Sequence, residues 1–156
     1  MLRLSKLTDY GTVVLAGMAR APEQTHTAAK LAETTYLPAA TVSKLLKLLT
    51  RGKVLNSRRG ARGGYRLARP PRDITAVEMI DAIEGPFSIT ECSSHPGMCG
   101  LEPVCAVSHN WQRINLSIRD ALRDVTLETL ARPIAVPLTR IGANQIAGLT
   151  QSKDKN

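Results

Sequence analysis

The stretch PAATVSKLLKLLTRGKVLNSRRGARGGYRL, residues 38–67, decides the fold. Its first part carries apolar side chains at three- and four-residue intervals, at Val42, Leu45, Leu46 and Leu49. This spacing predicts a helix to about Arg51 with one side facing the core. Pro38 suits the first helical position, and Gly52 ends the helix. Two short runs around an Arg-Gly segment then predict a β-hairpin.

Two more helices are predicted before this stretch. Thr8 or Asp9 can cap a helix that runs to about Arg20, and Thr27 can cap a short helix that leads by a tight turn into the helix at Pro38. Two short helices joined in this way, with hydroxyls and lysines outward on the second, are typical of a helix-turn-helix. The outward residues predicted to contact DNA are Thr41, Ser43, Lys44 and Lys47. A plain helical bundle is the alternative, but the hairpin stands where a wing would follow.

Basic residues are concentrated in this region. The chain has a net charge of +8, and ten basic residues but no acidic one lie from Lys44 to Arg72. An unmixed basic helix and hairpin is the electrostatic footprint of a surface that binds double-stranded DNA. Arg59 at the Arg-Gly tip could enter a minor groove. The wing residues predicted to contact DNA are Arg58, Arg59, Gly60 and Arg62.

The second half predicts a hinge, a short helix and a long helix. Pro70 and Pro71 mark the hinge, and Thr75 with Glu78 forms a capping box for a helix to about Glu84. A helix over about 108–125 carries an apolar seam that predicts a homodimer interface, although a core helix of one subunit has the same pattern. The seam comprises Trp111, Ile114, Ile118, Ala121, Leu122 and Val125. The predicted organisation is therefore a mostly α chain with a winged helix-turn-helix at 1–72, a cysteine loop and dimerisation helix at 73–131, and a disordered tail at 132–156.

Several function classes have little support. No apolar run approaches the roughly 20 residues of a spanning helix, and the N-terminus lacks the apolar core of a signal peptide. We therefore expect a cytoplasmic protein without a membrane partner. No Ser/His/Asp or phosphate-loop pattern is present, so we expect no enzymatic activity.

All three cysteines, Cys92, Cys99 and Cys105, fall within residues 91–110. This segment is rich in Ser, Gly and Pro and has few apolar residues, so it would gain its order from bound metal. Thiolates can hold an iron–sulfur cluster or zinc, or react directly as redox sensors. Gaps of six and five residues favour a cluster over structural zinc, but spacing alone leaves all three open.

Three motifs in order carry a resemblance to a known family. LSKLTDYG at 4–11, RRGARGGYRL at 58–67 and the three-cysteine loop followed by Asn110 and Trp111 resemble the IscR/NsrR-type winged-helix transcription regulators. Within that family the chain resembles most the branch of the SUF-system iron–sulfur cluster assembly regulators. The resemblance implies a homodimer that binds promoter DNA through helix 38–51 and the wing. It also implies that the three cysteines hold a 2Fe–2S or 4Fe–4S cluster whose state sets DNA affinity and controls cluster-assembly genes.

The fourth ligand departs from the family pattern. In the Isc regulator a histidine follows the third cysteine by three positions, but here that place is Ser108 and the histidine is His109. The nitric-oxide-sensing branch uses an acid near the partner's N-terminus, and Asp9 stands at the matching place. Either His109 or Asp9 is the predicted ligand, although Asp9 can equally be an acid favoured at a helix N-terminus. His95 is interpreted as a loop histidine exposed to water.

Other functions remain open beside this one. The same fold could sense nitric oxide or oxidative stress and control other genes, or the cysteines could hold zinc in a DNA-binding protein. A small electron-transfer or cluster-carrier protein would leave the winged-helix pattern unexplained.

Overall fold

The computed structural model describes residues 4–60, 63–94 and 97–132. The predicted tail from 133 onward, Arg62 and His95 lie outside the described residues. Mostly helical structure with one antiparallel hairpin confirms the predicted winged helix-turn-helix fold. The elements are α1 (Lys6–Ala19), α2 (Ala28–Thr35), α3 (Ala39–Arg51), β1 (Leu55–Arg58), β2 (Gly64–Leu67), α4 (Ala76–Glu84), α5 (Glu91–Ser94), α6 (Ser108–Asp124) and α7 (Leu127–Ala131), with 3-10 turns at Pro71–Asp73 and Glu102–Val104.

The first helix begins earlier than predicted. Ser5, not Thr8 or Asp9, is its N-cap, and the Ser5 hydroxyl accepts a hydrogen bond from the Thr8 backbone N–H at 3.2 Å. Thr8 is buried and its hydroxyl donates to the carboxylate of Glu84 at the end of α4. A tertiary partner 76 residues away therefore occupies the side chain that could otherwise have capped the helix.

One hydrophobic core joins both halves of the described chain. The predicted inward residues of α3 are all fully buried, as are Leu15 of α1 and Leu127 of α7. Ile74 and Met79 belong to the same cluster, so the core crosses the boundary predicted at residue 72. Apolar burial is the main favourable term in folding, at roughly 25 cal/mol per Å². The division into functional regions stays a prediction, but the packing is continuous.

A close contact fixes the end of α3 against α4. Gly52 has an ordinary backbone φ of −75°, and the left-handed residue that turns the chain is Lys53, with φ 60°. A Cβ on Gly52 would lie 2.3 Å from Ala82 Cβ and 2.9 Å from Ala82 Cα. Gly52 therefore serves close helix packing more than helix termination.

The wing is anchored to the loop between α1 and α2. Strands β1 and β2 pair from Leu55↔Leu67 to Arg58↔Gly64, and His26 extends the ladder with two backbone hydrogen bonds of 2.8 Å to Tyr65. A Cβ on Gly64 would lie 2.6 Å from the His26 carbonyl oxygen. The absence of a side chain at Gly64 thus permits the third chain segment to approach.

The second half forms as its capping and periodicity predict. The Thr75–Glu78 capping box is complete and opens α4, and α6 covers almost all of the helix predicted over 108–125. No helix in the described ranges is both long and apolar enough to cross a membrane.

Candidate nucleic-acid interface and cysteine segment

The predicted recognition helix presents its basic side chains to solvent. Lys44 and Lys47 are exposed on α3, while Thr41 and Ser43 are half-buried at the edge of the same face. In the wing, Arg58, Arg59 and Gly60 are all exposed. The hairpin turns where the Gly63 N–H donates to the Gly60 carbonyl at 2.8 Å. Helix and wing therefore expose the basic residues predicted to contact DNA, except for Arg62, which lies outside the described ranges.

The basic stretch from Lys44 to Arg72 divides into two parts. Arg66 pairs with Glu23 at 2.9 Å, Arg69 pairs with Glu78 at 2.8 Å, and Arg72 lies 3.9 Å from Asp73. The other described basic residues of this stretch form no salt bridge within the described part of the chain. They are Lys44, Lys47, Arg51, Lys53, Arg58 and Arg59. The unpaired positive charge therefore lies on α3, β1 and the residues beside them. The basic surface is smaller than the whole stretch from Lys44 to Arg72 that the sequence predicts.

A cleft between α3 and the wing adds residues that the sequence pattern did not single out. It has a volume of about 290 Å³ and is lined by Lys47, Thr50, Arg51, Ser57 and Tyr65. The lining combines two cations with hydroxyl donors, the groups that usually contact DNA phosphates. Arg51 follows Lys44 and Lys47 by seven and four residues on one helix, and that spacing could have identified it.

The predicted apolar seam of α6 is only partly exposed to solvent. Trp111 is 42% exposed and Ile114 is 45% exposed, and Ala121 also faces solvent. Ile118 is half-buried, while Leu122 and Val125 pack against the hydrophobic core of the same chain. The amino-terminal part of α6 therefore presents an unpaired apolar stripe, and its end is fixed to the core.

The cysteine segment is residues 85–107, between α4 and α6. Its three cysteines are free thiols and all are half-buried. Cys92 lies in α5 with its Sγ 3.3 Å from the Thr90 hydroxyl, and Cys105 follows the 3-10 turn that begins at Glu102. Within the described ranges, no three Cys, His, Asp or Glu side chains are grouped closely enough to hold a metal ion. Asp9 lies in the first turn of α1 and His109 in that of α6, both exposed.

Polar side chains of α6 hold the backbone that carries Cys92. Gln112 Nε2 donates to the Cys92 carbonyl at 3.3 Å, and buried Asn115 accepts a hydrogen bond from the Ile89 N–H at 3.3 Å. Arg119 donates to the Phe87 carbonyl at 3.2 Å. These three helix residues are spaced three and four apart, a polar stripe that could have been noticed beside the apolar seam.

Asp81 of α4 completes this connection. Its carboxylate accepts from the Phe87 N–H at 2.7 Å and from Arg119 Nη2 at 2.7 Å. The bond to Asp81 raises the pKa of Arg119 above its ordinary value. At the end of α4, the Thr8 hydroxyl and then the Ser5 N–H lower the pKa of the Glu84 carboxyl. Helix α4 is therefore bonded on one side to the cysteine segment and on the other to α1.

A recognition helix and a wing that share a basic surface free of acids define a DNA-binding protein of the winged helix-turn-helix class. The chain belongs to the Rrf2 family, described as an iron-dependent transcriptional regulator, which matches residues 4–133. It is therefore a DNA-binding transcriptional regulator and not an enzyme, as its sequence predicts.

Named relatives support this assignment. The chain is 29% identical over 133 residues to the HTH-type transcriptional regulator NsrR of Bacillus subtilis, covering 84% of this chain and 91% of the relative. The structure of CymR, the global cysteine regulator of B. subtilis, superposes with a TM-score of 0.63 at 29% identity over 84% of this chain and 97% of that one. IscR of T. potens gives a TM-score of 0.60 at 26% identity over 83% and 85% of the two chains.

Proposed function

We propose that this regulator senses iron–sulfur cluster status through Cys92, Cys99 and Cys105 and controls cluster-assembly (SUF) genes. One observation carries the proposal: three free, half-buried thiols belong to a segment that is hydrogen-bonded to α6 and α4. Helix α4 in turn packs against the end of the recognition helix at Gly52. The description of the family as iron-dependent supports iron as the metal.

The donor set fits an iron–sulfur cluster by its chemistry. Thiolates are the usual ligands of such clusters, whether 2Fe–2S or 4Fe–4S, and His109 or Asp9 would supply the fourth bond. When bound, the cluster would supply a redox-active centre whose loss leaves three reactive thiols. The described residues do not gather three ligands, so holding a cluster would require the segment to close and bring its cysteines nearer to one another.

Such closure provides a mechanism by linkage. The Cys92 backbone is tied to α6, and Asp81 ties the same segment to α4. In a homodimer joined through α6, a change in this segment would alter the distance between two recognition helices. Dimers of helix-turn-helix proteins read half-sites about one helical turn of DNA apart, so a small change in this distance alters promoter affinity.

The first test is the visible spectrum of protein purified without oxygen, with its iron, sulfide and zinc content. We expect a brown sample with sulfide close to stoichiometric with iron. A colourless sample that binds zinc, or binds nothing after attempted cluster reconstitution, would remove the cluster mechanism and leave a DNA-binding regulator.

A ligand variant then tests the link to DNA. Cys99→Ala should alter affinity for promoter DNA while leaving the melting temperature of the winged helix nearly unchanged. Met98→Ala is the matched control, because Met98 neighbours Cys99, is 62% exposed and cannot donate a thiolate. Equal DNA affinity for cluster-free Cys99→Ala and for the cluster-loaded wild-type protein would contradict the mechanism.

The dimer has its own test. Ile114→Asp places a charge in the exposed stripe of α6 and should convert a dimer to a monomer in light scattering after gel filtration. Leu116→Asp is the control, since Leu116 is 59% exposed on the opposite side of the same helix. If both variants keep the mass of two chains, α6 is not the dimer helix.

Direct thiol sensing is a second candidate function. The three free, half-buried thiols favour it. It predicts promoter binding that changes with thiol oxidation in protein containing no iron, whereas the cluster proposal predicts a change that follows iron content.

A further inference from the structure

Tyr36 combines an unusual backbone conformation with extreme exposure. It has φ 56° and ψ 27°, in the left-handed region that residues other than glycine and asparagine rarely adopt at a helix end. Its side chain is 95% exposed, the highest value among the large apolar side chains that the structure describes. An aromatic ring normally gains stability by burial. Neither feature is compensated by packing within the described chain.

The position of Tyr36 in the fold explains its left-handed backbone and its exposure. Tyr36 ends α2 and stands two residues before Pro38, the N-cap of α3, so it forms the turn of the helix-turn-helix. When such a motif docks, its first helix crosses the DNA backbone and the start of its second helix enters the major groove. The turn between them then lies beside the sugar–phosphate backbone at the edge of the groove.

The surroundings suit an anionic partner. The exposed residues that follow Tyr36 into α3, namely Pro38, Ala39 and Ala40, are short, so the tyrosine ring projects beyond them. The first turn of α3 holds no acid, and the nearest preceding acid, Glu33, is paired with Lys30 at 2.8 Å. Lys44 and Lys47 follow further along the same helix, as its sixth and ninth residues. The partner that contacts Tyr36 is therefore expected to be DNA and not an apolar protein surface.

We propose that Tyr36 is a DNA-backbone contact of this regulator, its hydroxyl donating to a phosphate oxygen and its ring lying against the adjoining sugar. The inference rests on the DNA-binding role of α3 and adds a residue that the basic footprint does not include. A neutral hydroxyl bonded to phosphate fixes the register of the helix without releasing a counterion. This property separates its contribution from that of Lys44 or Lys47.

The test first needs a DNA duplex that the protein binds, and selection identifies one. Wild-type protein, both with and without a reconstituted cluster, selects duplexes from a random-sequence pool, and the best duplex is used for all variants. Tyr36→Gly should bind it about tenfold more weakly, because the hydrogen bond to phosphate and the ring contact with the sugar are both lost. The same variant should melt about 3 °C higher, because glycine accepts the left-handed conformation. Weaker binding by a more stable protein cannot be attributed to unfolding.

Two further variants complete the design. Tyr36→Phe keeps the ring and should bind about threefold more weakly with an unchanged salt dependence, whereas Lys47→Ala should reduce the salt slope by about one. Leu116→Ala removes an exposed apolar side chain on α6 and should leave affinity unchanged. Wild-type affinity in Tyr36→Gly, with binding lost in Arg59→Ala, would overturn the Tyr36 contact alone. If wild-type protein selects no duplex, the DNA-binding role and this contact both fail.

Discussion

The winged helix and the cysteine segment are held by different forces. Helix α3 is fixed by apolar side chains that are fully buried, whereas none of the described residues from 84 to 107 is buried. The cysteine segment is held instead by side chains of α4 and α6 that bond to its backbone. Hydrogen bonds contribute only about 1 kcal/mol each, while each buried leucine contributes several times that. The helix predicted to contact DNA is therefore firmly held by the core, and the segment proposed to sense can rearrange.

The largest expected effect tests this difference directly. Leu46→Ala removes a fully buried side chain from α3 and should lower the free energy of unfolding by about 3 kcal/mol. Leu101→Ala in the cysteine segment, where the side chain is 68% exposed, should change it by less than about 0.5 kcal/mol. Urea unfolding followed by circular dichroism gives both values. Similar losses for the two variants would mean that the cysteine segment has an apolar core of its own.

Local patterns predicted the first region well and the second poorly. The periodicity of α3 identified its buried side because each apolar residue contacts a common core, and the capping box at Thr75 needs only residues three apart. The partners of Asn115 and Arg119 lie 26 to 38 residues away, and no periodic signal encodes such pairs. The cap of α1 was misplaced for the same reason, since Glu84 takes the hydroxyl of Thr8.

A second prediction concerns the contact that joins the two regions. Gly52→Ala should cost about 2 kcal/mol of stability, because the new Cβ would overlap Ala82 and move α4 away from α3. Elsewhere at a φ of −75° the same change would be neutral or stabilising. Thermal unfolding of Gly52→Ala, Ala82→Gly and the double variant measures the coupling. If the stability losses of the two single variants add up to that of the double variant, the two positions are not coupled by steric contact.

A third, smaller effect should be confined to the cysteine segment. Asn115→Ala leaves the Ile89 N–H without its acceptor and should cost about 1 kcal/mol. Amide exchange should accelerate over residues 87–92 and stay unchanged in α3, because local opening follows local bonding. Ser117→Ala is the control, since that exposed hydroxyl bonds only within α6, to the Arg113 carbonyl. Faster exchange in α3 as well would show that the two regions open together.

The smallest expected effect is on how the free energy of unfolding changes at acidic pH. The Thr8 hydroxyl lowers the folded-state pKa of Glu84, so the unfolded chain takes up this proton more readily than the folded one. Glu84 therefore stabilises the fold above its unfolded pKa of about 4.3, and this contribution is lost as pH falls through the lower folded pKa. Thr8→Val returns the folded pKa towards its ordinary value and should flatten stability against pH between about pH 5 and 3. Urea unfolding across that range measures the slope, with Thr12→Val as control, because Thr12 bonds only to the Thr8 carbonyl. An unaltered slope in Thr8→Val would mean that the Thr8 hydroxyl does not lower the pKa of Glu84, and that the Ser5 N–H is the hydrogen bond that joins this carboxylate to the start of α1.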